Sequence, residues 1–459
     1  MNIRPSQLPR LLQGAYEDQD QVSLEEHLEI WGPLEKIGKS KRDEFLKVLE
    51  DSGLRGHGGA WFPVAAKWRS VRQNTRLKSA VVVANGSEGE PASEKDRLLL
   101  SKYPHLVLDG LSLATSTLNA SKVYLCLHDD LASGIAQEIK KRQRQKLDDP
   151  EIEVVPIADT YLAGEESALV NYLNGGTLGV PLFKGQHPVR ERGVKSRPTL
   201  VQNVETLAHV AAVARLGAHN FKALGTKTMP GSALVTVCGA VKSPGVAEVA
   251  LGSPIKDLLV KAGGTSSNIG GILLGGYGGN WLMSDKSSEL PLAEDVLHQA
   301  GLTMGASIVG VLSDGICPLG VTGAILKYLV NVRARQCGPC EFGLPALSNS
   351  FDLLVNGVSG KNIVSELTAW CDMVEKRGAC HHPDGAARLV RSALHVFRDD
   401  IGRHIRQGGC SRPLGPFPFA LPKIGTVQIR RSGLEGAATD PIIATKVRPG
   451  QQRYVGTRR

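Results

Sequence analysis

Residues 53–68 read Gly-Leu-Arg-Gly-His-Gly-Gly-Ala-Trp-Phe-Pro-Val-Ala-Ala-Lys-Trp, so that Gly56, Gly58 and Gly59 run into Pro63 where a helix should begin. Glycines let backbone N–H groups approach an anion. Proline suits a first helical turn, and the free N–H groups and positive dipole end of that helix attract a phosphate. Lys67, one turn in, would add a full charge. Neither standard fingerprint fits: there is no Gly-x-x-x-x-Gly-Lys-Ser/Thr, and Trp61 stands where the dinucleotide motif needs its third glycine. A plain glycine-rich turn is the competing reading, so the stretch takes its meaning from what lies after it.

Next comes a short β-branched run, Ala80–Ala84, which reads as a buried strand and stops at Asn85-Gly86-Ser87-Glu88-Gly89-Glu90-Pro91. In open α/β sheets ligands gather beyond the carboxyl ends of strands, and the carboxylates of Glu88 and Glu90 suit sugar hydroxyls or an amide. A solvated acidic turn is the plain alternative. A second acidic loop, Tyr161-Leu162-Ala163-Gly164-Glu165-Glu166, follows another β-rich segment, Ile152–Ile157. Together the three loops predict one nucleotide-sized pocket.

These residues, with Lys95-Asp96-Arg97, Arg197-Pro198-Thr199, Asn203-Val204-Glu205-Thr206 and a cysteine cluster, resemble a known family. It is the flavin-binding, NADH-oxidising subunit of complex I, with its relatives in NAD-linked hydrogenases and formate dehydrogenases. The resemblance covers most of the chain. It implies FMN held by Gly56, Gly58, Gly59, Lys67, Asn85, Glu88, Gly164, Glu166, Asn203 and Thr206. It also implies NAD(H) facing Phe62, Glu90, Tyr161 and Glu165, with Glu165 and Glu90 closest to the reaction. On the flavin and nicotinamide side of the pocket the chain departs from the family pattern at four places: His57 replaces an arginine, Trp61 a glycine, Ser87 an aspartate and Gln202 an asparagine. Trp61 matters most, since an indole puts roughly 200 Å² of aromatic surface into the loop and is expected to stack on the cofactor or block it.

Cys337-Gly338-Pro339-Cys340 and Cys380 stand out among eight cysteines. The N-terminal stretch Met1–Asp20 has no apolar run of the secretory kind, so a reducing cytoplasm and free thiolates are expected. A redox pair or zinc half-site is the alternative for Cys-x-x-Cys alone. The resemblance implies an iron–sulfur cluster, 4Fe-4S or 3Fe-4S, on Cys337, Cys340 and Cys380. The family's remaining cysteine position is Ala334 here. Cys410, Cys317, His381, the neighbouring His382 or no residue at all are the candidates for the fourth ligand, with Cys410 preferred. Cys126, Cys238 and Cys371 sit in apolar segments and read as core filling.

The 459 residues are 42% hydrophobic with no apolar run of membrane-spanning length, which suits about three domains. Residues 1–40 read as a helical lead-in, and 41–225 as an α/β FMN/NADH-binding domain. Residues 230–300 spell β-hairpin, helix and strand, the small β-grasp (SLBB-like) module that the family carries. Residues 303–408 read as a helical bundle with the iron–sulfur site, preceded by one strand at Ala306–Leu312. Its last helix, Pro383–Ile405, places Leu389, Ala393, Phe397 and Ile401 on one apolar face. Residues 409–459 read as an extended basic tail with little core of its own: from Ser411 onward nine Lys/Arg face two Asp/Glu, a large share of the whole chain's net +9.

The expected activity is electron input: hydride from NADH to FMN, then single electrons through the cluster to a ferredoxin or another iron–sulfur protein. A non-catalytic scaffold, or a flavin reductase fed by ferredoxin, are the alternatives. The tail suits an acidic partner or a membrane redox complex, with peripheral attachment through partner subunits. Nucleic acid is not expected, because the basic residues are not interleaved with stacking aromatics.

Overall fold

A computed structural model describes residues 6–420, apart from 15–20, 36, 76–77, 148–149, 183–186, 284–286, 359, 411 and 413–416. Strands β1 (Val81–Gly86), β2 (Lys122–His128), β3 (Ile152–Ile157) and β4 (Thr199–Asn203) form a parallel sheet in the order β3-β2-β1-β4. Val81–Ala84 are fully buried because helices cover this sheet, which is why the run is apolar throughout rather than alternating. The order reverses between β1 and β4, where Asn85 pairs in register with Asn203. Such a switch point opens a crevice at the carboxyl ends of the strands.

The second sheet contains β5 (Ser232–Gly239), β6 (Gly245–Ala250), β7 (Ile269–Leu274), β8 (Asn280–Leu282) and β9 (Ile308–Ser313), ordered β6-β5-β9-β7-β8. The hairpin, helix and strand expected from sequence are present. β9, however, is central, parallel to β5 and antiparallel to β7. It therefore belongs to this sheet and not, as expected from sequence, to the helical region. A parallel partner lies far away along the chain, so no local pattern reveals it. Side chains alternate across the sheet: Ile308 and Leu312 join the core shared with the helical bundle, whereas Val309 and Val311 join a separate core on the opposite face.

Helices Pro318–Asn331, Leu344–Val355, Ile363–Val374, His382–Val396 and Arg398–Gln407 form the bundle. The last helix is therefore two, broken at Phe397 (φ −102°, ψ 37°), yet Leu389, Ala393, Phe397 and Ile401 are all buried as the apolar pattern requires. The chain beyond the bundle, expected to have little core of its own, adds a few side chains to the bundle's core. Phe419 is 7% exposed and lies against Gly239 and Gly310, where an added Cβ would come within 3.0 and 2.8 Å of its ring. Tyr277 donates its hydroxyl to the carbonyl of Ala420. Residues 421–459, with nearly all the tail's charge, lie outside the described residues.

The lead-in holds one described helix, Leu24–Trp31, opened by a reciprocal Ser23–Glu26 capping box. Ahead of it, the N–H groups of Arg10 and Leu11 donate to the buried Glu248 carboxylate of β6, at 2.6 and 2.8 Å. The segment before the first helix is thus bound to the second sheet. Among the described residues, no helix is long and apolar enough to cross a membrane.

Candidate functional site

A cavity of about 370 Å³ opens at the β1/β4 switch point, within the size range of small-molecule sites. All three structural layers build it. The first layer supplies His57, Gly58 and Gly59 from the loop before helix Val64–Gln73, and Asn85, Glu88–Glu90 and Asn203 from the ends of β1 and β4. Tyr161, Gly164 and Glu165 come from the short turn after β3. The far wall carries Gly275, Gly278 and the 303–306 segment of the second sheet, and Cys380, His381, His382, Gly385 and Arg388 of the bundle.

Of the residues singled out in the sequence, Gly58, Gly59, Asn85, Glu88, Glu90, Tyr161, Gly164, Glu165 and Asn203 meet at this cavity. Gly56, Phe62, Lys67, Glu166 and Thr206 are not part of its wall. Gly56 closes the loop through its N–H to the Phe62 carbonyl at 2.9 Å, and Phe62 is 56% exposed. Lys67 donates to the Val201 carbonyl at 2.7 Å and pairs with Glu166 at 3.4 Å. The Thr206 hydroxyl accepts from the His57 N–H at 2.8 Å.

The acidic residues of the turns have structural partners. The Glu88 carboxylate accepts from the N–H groups of Asp96 and Arg97 at 3.0 and 2.8 Å, and from Ser93, so it closes the first turn of helix Lys95–Lys102. Glu165 caps helix Glu166–Leu173 through Ala168 N–H at 2.7 Å. Asn85 reaches the Gly164 carbonyl at 2.8 Å, and Ser87 donates to Asn85 at 2.6 Å. Asn203 caps helix Val204–Phe221 and donates to Asp96 at 2.6 Å.

Trp61 neither lines nor blocks the cavity. It is 2% exposed and turned into the second sheet's outer core, with its ring 4.7 Å from that of His57. Its φ of 50° makes that turn. The substitution thus puts a residue of the first layer into the second layer's core. His57 is also buried, its Nδ1 3.1 Å from Glu205 and its ring stacked 4.4 Å from His209. Lys95 completes this group at 2.9 Å from Glu205 and 2.8 Å from Asp96. Burial alone would lower the Lys95 pKa, but Asp96 and Glu205 outweigh it and hold the ammonium above its ordinary value. For Glu205, burial is likewise overcome by Lys95 and His57, which keep it ionised. Burial and the neighbouring His57 push His209 down to about 4.

Glu90 differs from the other acids. Its half-buried carboxyl stands at the cavity wall, and burial there pushes its pKa up to about 8, while the Tyr277 N–H and the Tyr161 hydroxyl, both 3.1 Å away, pull the other way. The wall that Glu90 faces is absent from the sequence-based expectations. Gly275-Gly276-Tyr277-Gly278-Gly279 is the visible signal for it, directly after strand β7. A Cβ on Gly276 would stand 2.7 Å from the Glu90 carboxylate, and one on Gly278 3.4 Å from the Tyr161 hydroxyl. Only glycines let this loop come so close.

Cys337, Cys340 and Cys380 form a thiol group that meets the cavity at Cys380. Cys340 lies on a single π-turn, Pro339–Gly343, a local widening of the helix that is frequent at functional sites. Burial, then Cys337 and Cys380, push its thiol up to about 12, while burial pushes Cys380 up to about 11. The Cys337 sulfur accepts the Ala379 N–H at 3.4 Å. The preferred fourth ligand is elsewhere. Cys410 and Cys317 lie with His404, ligand atoms within 4.8 Å of one another. His381 borders the cavity with its side chain 87% exposed and its Nδ1 2.9 Å from Asp384. His382 is turned inward, 2.8 Å from the Leu329 carbonyl.

Residues 49–212 match the Nuo51 FMN-binding domain, 234–271 the SLBB domain and 320–404 the NADH-ubiquinone oxidoreductase-F iron-sulfur binding region. Among curated relatives, the F subunit of the NADH-quinone oxidoreductase of Mycobacterium bovis is 28% identical over 393 residues, covering 82% of this chain and 88% of its own length. The corresponding protein of Aquifex aeolicus is 28% identical, covering 85% and 93%. A chain of an NAD+-reducing [NiFe]-hydrogenase, solved in the H2-reduced state, superposes with a TM-score of 0.73 at 29% identity. That match takes in 79% of this chain and 63% of the hydrogenase chain. The glycine loop, the cysteine group and the order of the three matched regions agree. This chain belongs, as a divergent member, to the family of the flavin-binding, NADH-oxidising subunit of complex I.

Proposed function

We propose that this chain provides electron input, taking hydride from NADH onto FMN and passing single electrons through an iron–sulfur cluster to a partner carrier. The observation that carries this reading is the double position of Cys380, which borders the cavity and belongs to the thiol group. A two-electron site and a one-electron site thus share a wall.

The residues present fit FMN. A Cβ on Gly58 would lie 3.3 Å from Asn203, and one on Gly164 3.3 Å from Ser87, so the glycines keep the crevice clear. Gly58 and Gly59 would hold the ligand through their backbone, Asn85 and Asn203 through amides, and Lys95 through its field. Bound there, FMN supplies hydride acceptance from NADH and release of electrons one at a time. Tyr161 and Glu90 present a hydrogen-bonded, uncharged pair at neutral pH on the side where a nicotinamide carboxamide would be read. Three soft thiolates suit an iron–sulfur cluster, and among the described residues no fourth thiol joins them. His381, next to Cys380 in the chain and 87% exposed, would be the residue available to a fourth iron, and a three-iron cluster would need none.

The partner that fits is an iron–sulfur carrier, with membrane association arising through it. The deciding measurement is the visible spectrum and iron content of anaerobically purified protein before and after NADH. Bleaching of a flavin band with iron present is expected. In Cys380→Ser, the flavin should still bleach while iron and the reduction of an external one-electron acceptor are lost. Retained iron and unchanged acceptor reduction in that variant would remove Cys380 from the route. A flavin that ignores NADH in the wild type favours ferredoxin as donor, and a chain that takes up no flavin favours the scaffold.

A further inference from the structure

We propose that Cys317, His404 and Cys410 form a binding site for a single divalent, thiophilic ion of the zinc class, distinct from the cluster cysteines. Their ligand atoms lie within 4.8 Å of one another, close enough for one ion to reach all three. Both cysteines fall outside the matched iron–sulfur region, residues 320–404, and His404 is its last residue.

Each ligand is held by the fold. Cys317 caps helix Pro318–Asn331, its sulfur accepting the Gly320 N–H at 3.4 Å, which fixes where the sulfur points. His404 packs against the end of helix Leu344–Val355, with Nδ1 3.2 and 3.0 Å from the carbonyls of Leu354 and Val355. Those acceptors fix the proton on Nδ1. The Nε2 lone pair is left facing the Cys317 sulfur at 3.4 Å. A backbone carbonyl that orients the imidazole in this way is the usual support of a metal-bound histidine.

Cys410 arrives by a turn built for it. Gly408 (φ 72°) and Gly409 (φ 137°) both donate their N–H to the His404 carbonyl, at 3.1 and 3.2 Å. That turn presses on Gly357 so closely that a Cβ there would meet Gly408 at 2.0 Å. A simple thiol–imidazole hydrogen bond would account for Cys317 and His404 but not for the second sulfur brought to the same point. Cys317 and His404 are buried whereas Cys410 is half-buried, so one side opens to solvent. Binding would release two thiol protons to solvent, balance the ion's charge with two thiolates and leave water in the fourth position. The buried trio His57, Glu205 and His209 is a weaker candidate, because the Lys95 ammonium already occupies its field.

The test uses the full chain loaded anaerobically with FMN and with iron and sulfide, then exposed to zinc, desalted and analysed for zinc and iron. About one zinc per chain is expected. Cys317→Ser and Cys410→Ser should each weaken zinc binding roughly tenfold or more, with iron and flavin unchanged. Cys340→Ser should do the opposite, losing iron and keeping zinc. Cobalt(II) in place of zinc should give thiolate charge-transfer bands that vanish in Cys410→Ser, which carries the test if Cys317→Ser does not fold. No retained zinc in the wild type, or zinc indifferent to both serine variants, overturns the proposal. So does a Cys317–Cys410 disulfide in anaerobically purified protein, seen by mass spectrometry as the loss of a pair of hydrogens.

Discussion

Trp61 joins two features that ordinarily exclude an indole from a loop, a φ of 50° and a cofactor-sized cavity close by. Its burial in the second sheet's outer core accounts for both. Trp61→Ala keeps a strained L-residue and loses the packing, and should cost about 3–5 kcal/mol. Trp61→Gly loses the same packing but relieves the left-handed backbone, and should be milder by about 1 kcal/mol. Denaturant midpoints of the two variants order them, and flavin affinity should be unaffected in both. Glu90 offers a test through pH. Its carboxyl, with Tyr161 and Tyr277 against it, stays protonated up to about 8 and becomes a carboxylate above. NADH binding should therefore weaken as the pH rises past that value in the wild type, and Glu90→Gln should flatten that profile; a variant that keeps the inflection assigns it to another group. The glycines, acidic turns and cysteines of this site are legible in the sequence because each is a local pattern. The direction of Trp61 is not, since it depends on a core assembled from residues after 228.

Strand β9 shows what a local reading lacks. Its apolar run is visible, but its parallel pairing to β5 joins distant segments, so nothing nearby in the chain reveals its layer. The helix break at Phe397 escapes for the opposite reason: the apolar stripe continues across it without a change of period. Gly310, in the middle of β9, has no explanation in the sequence either. In the fold it opens the slot for Phe419. Gly310→Val should expel that ring and lower stability by about 3 kcal/mol or more, through lost aromatic burial plus strain. Phe419→Ala made alone should cost a similar amount, and the two substitutions together should cost clearly less than their sum, because both empty one slot.

Across the whole molecule, the order of layers is readable from the chain while their mutual closure around the cavity is not. The wall formed by Gly275, Gly278, Cys380 and Arg388 exists only once three layers meet. Truncation tests must respect the same closure. Removal of residues 411–459 would take Phe417 and Phe419 with the basic segment, whereas removal of 422–459 spares them. The shorter deletion should leave the melting temperature unchanged and weaken association with an acidic iron–sulfur partner at low salt, an effect that fades as ionic strength rises. Unchanged binding at low salt would sink the docking role of that segment. The Phe419 slot also has a consequence during synthesis. At about 5–20 residues per second, the ribosome needs roughly 5–20 s to go from the end of β9 to Phe419. Through that interval the nascent second sheet lacks the ring that fills the slot at Gly239 and Gly310, and its apolar surface stays uncovered for as long as the bundle takes to be made.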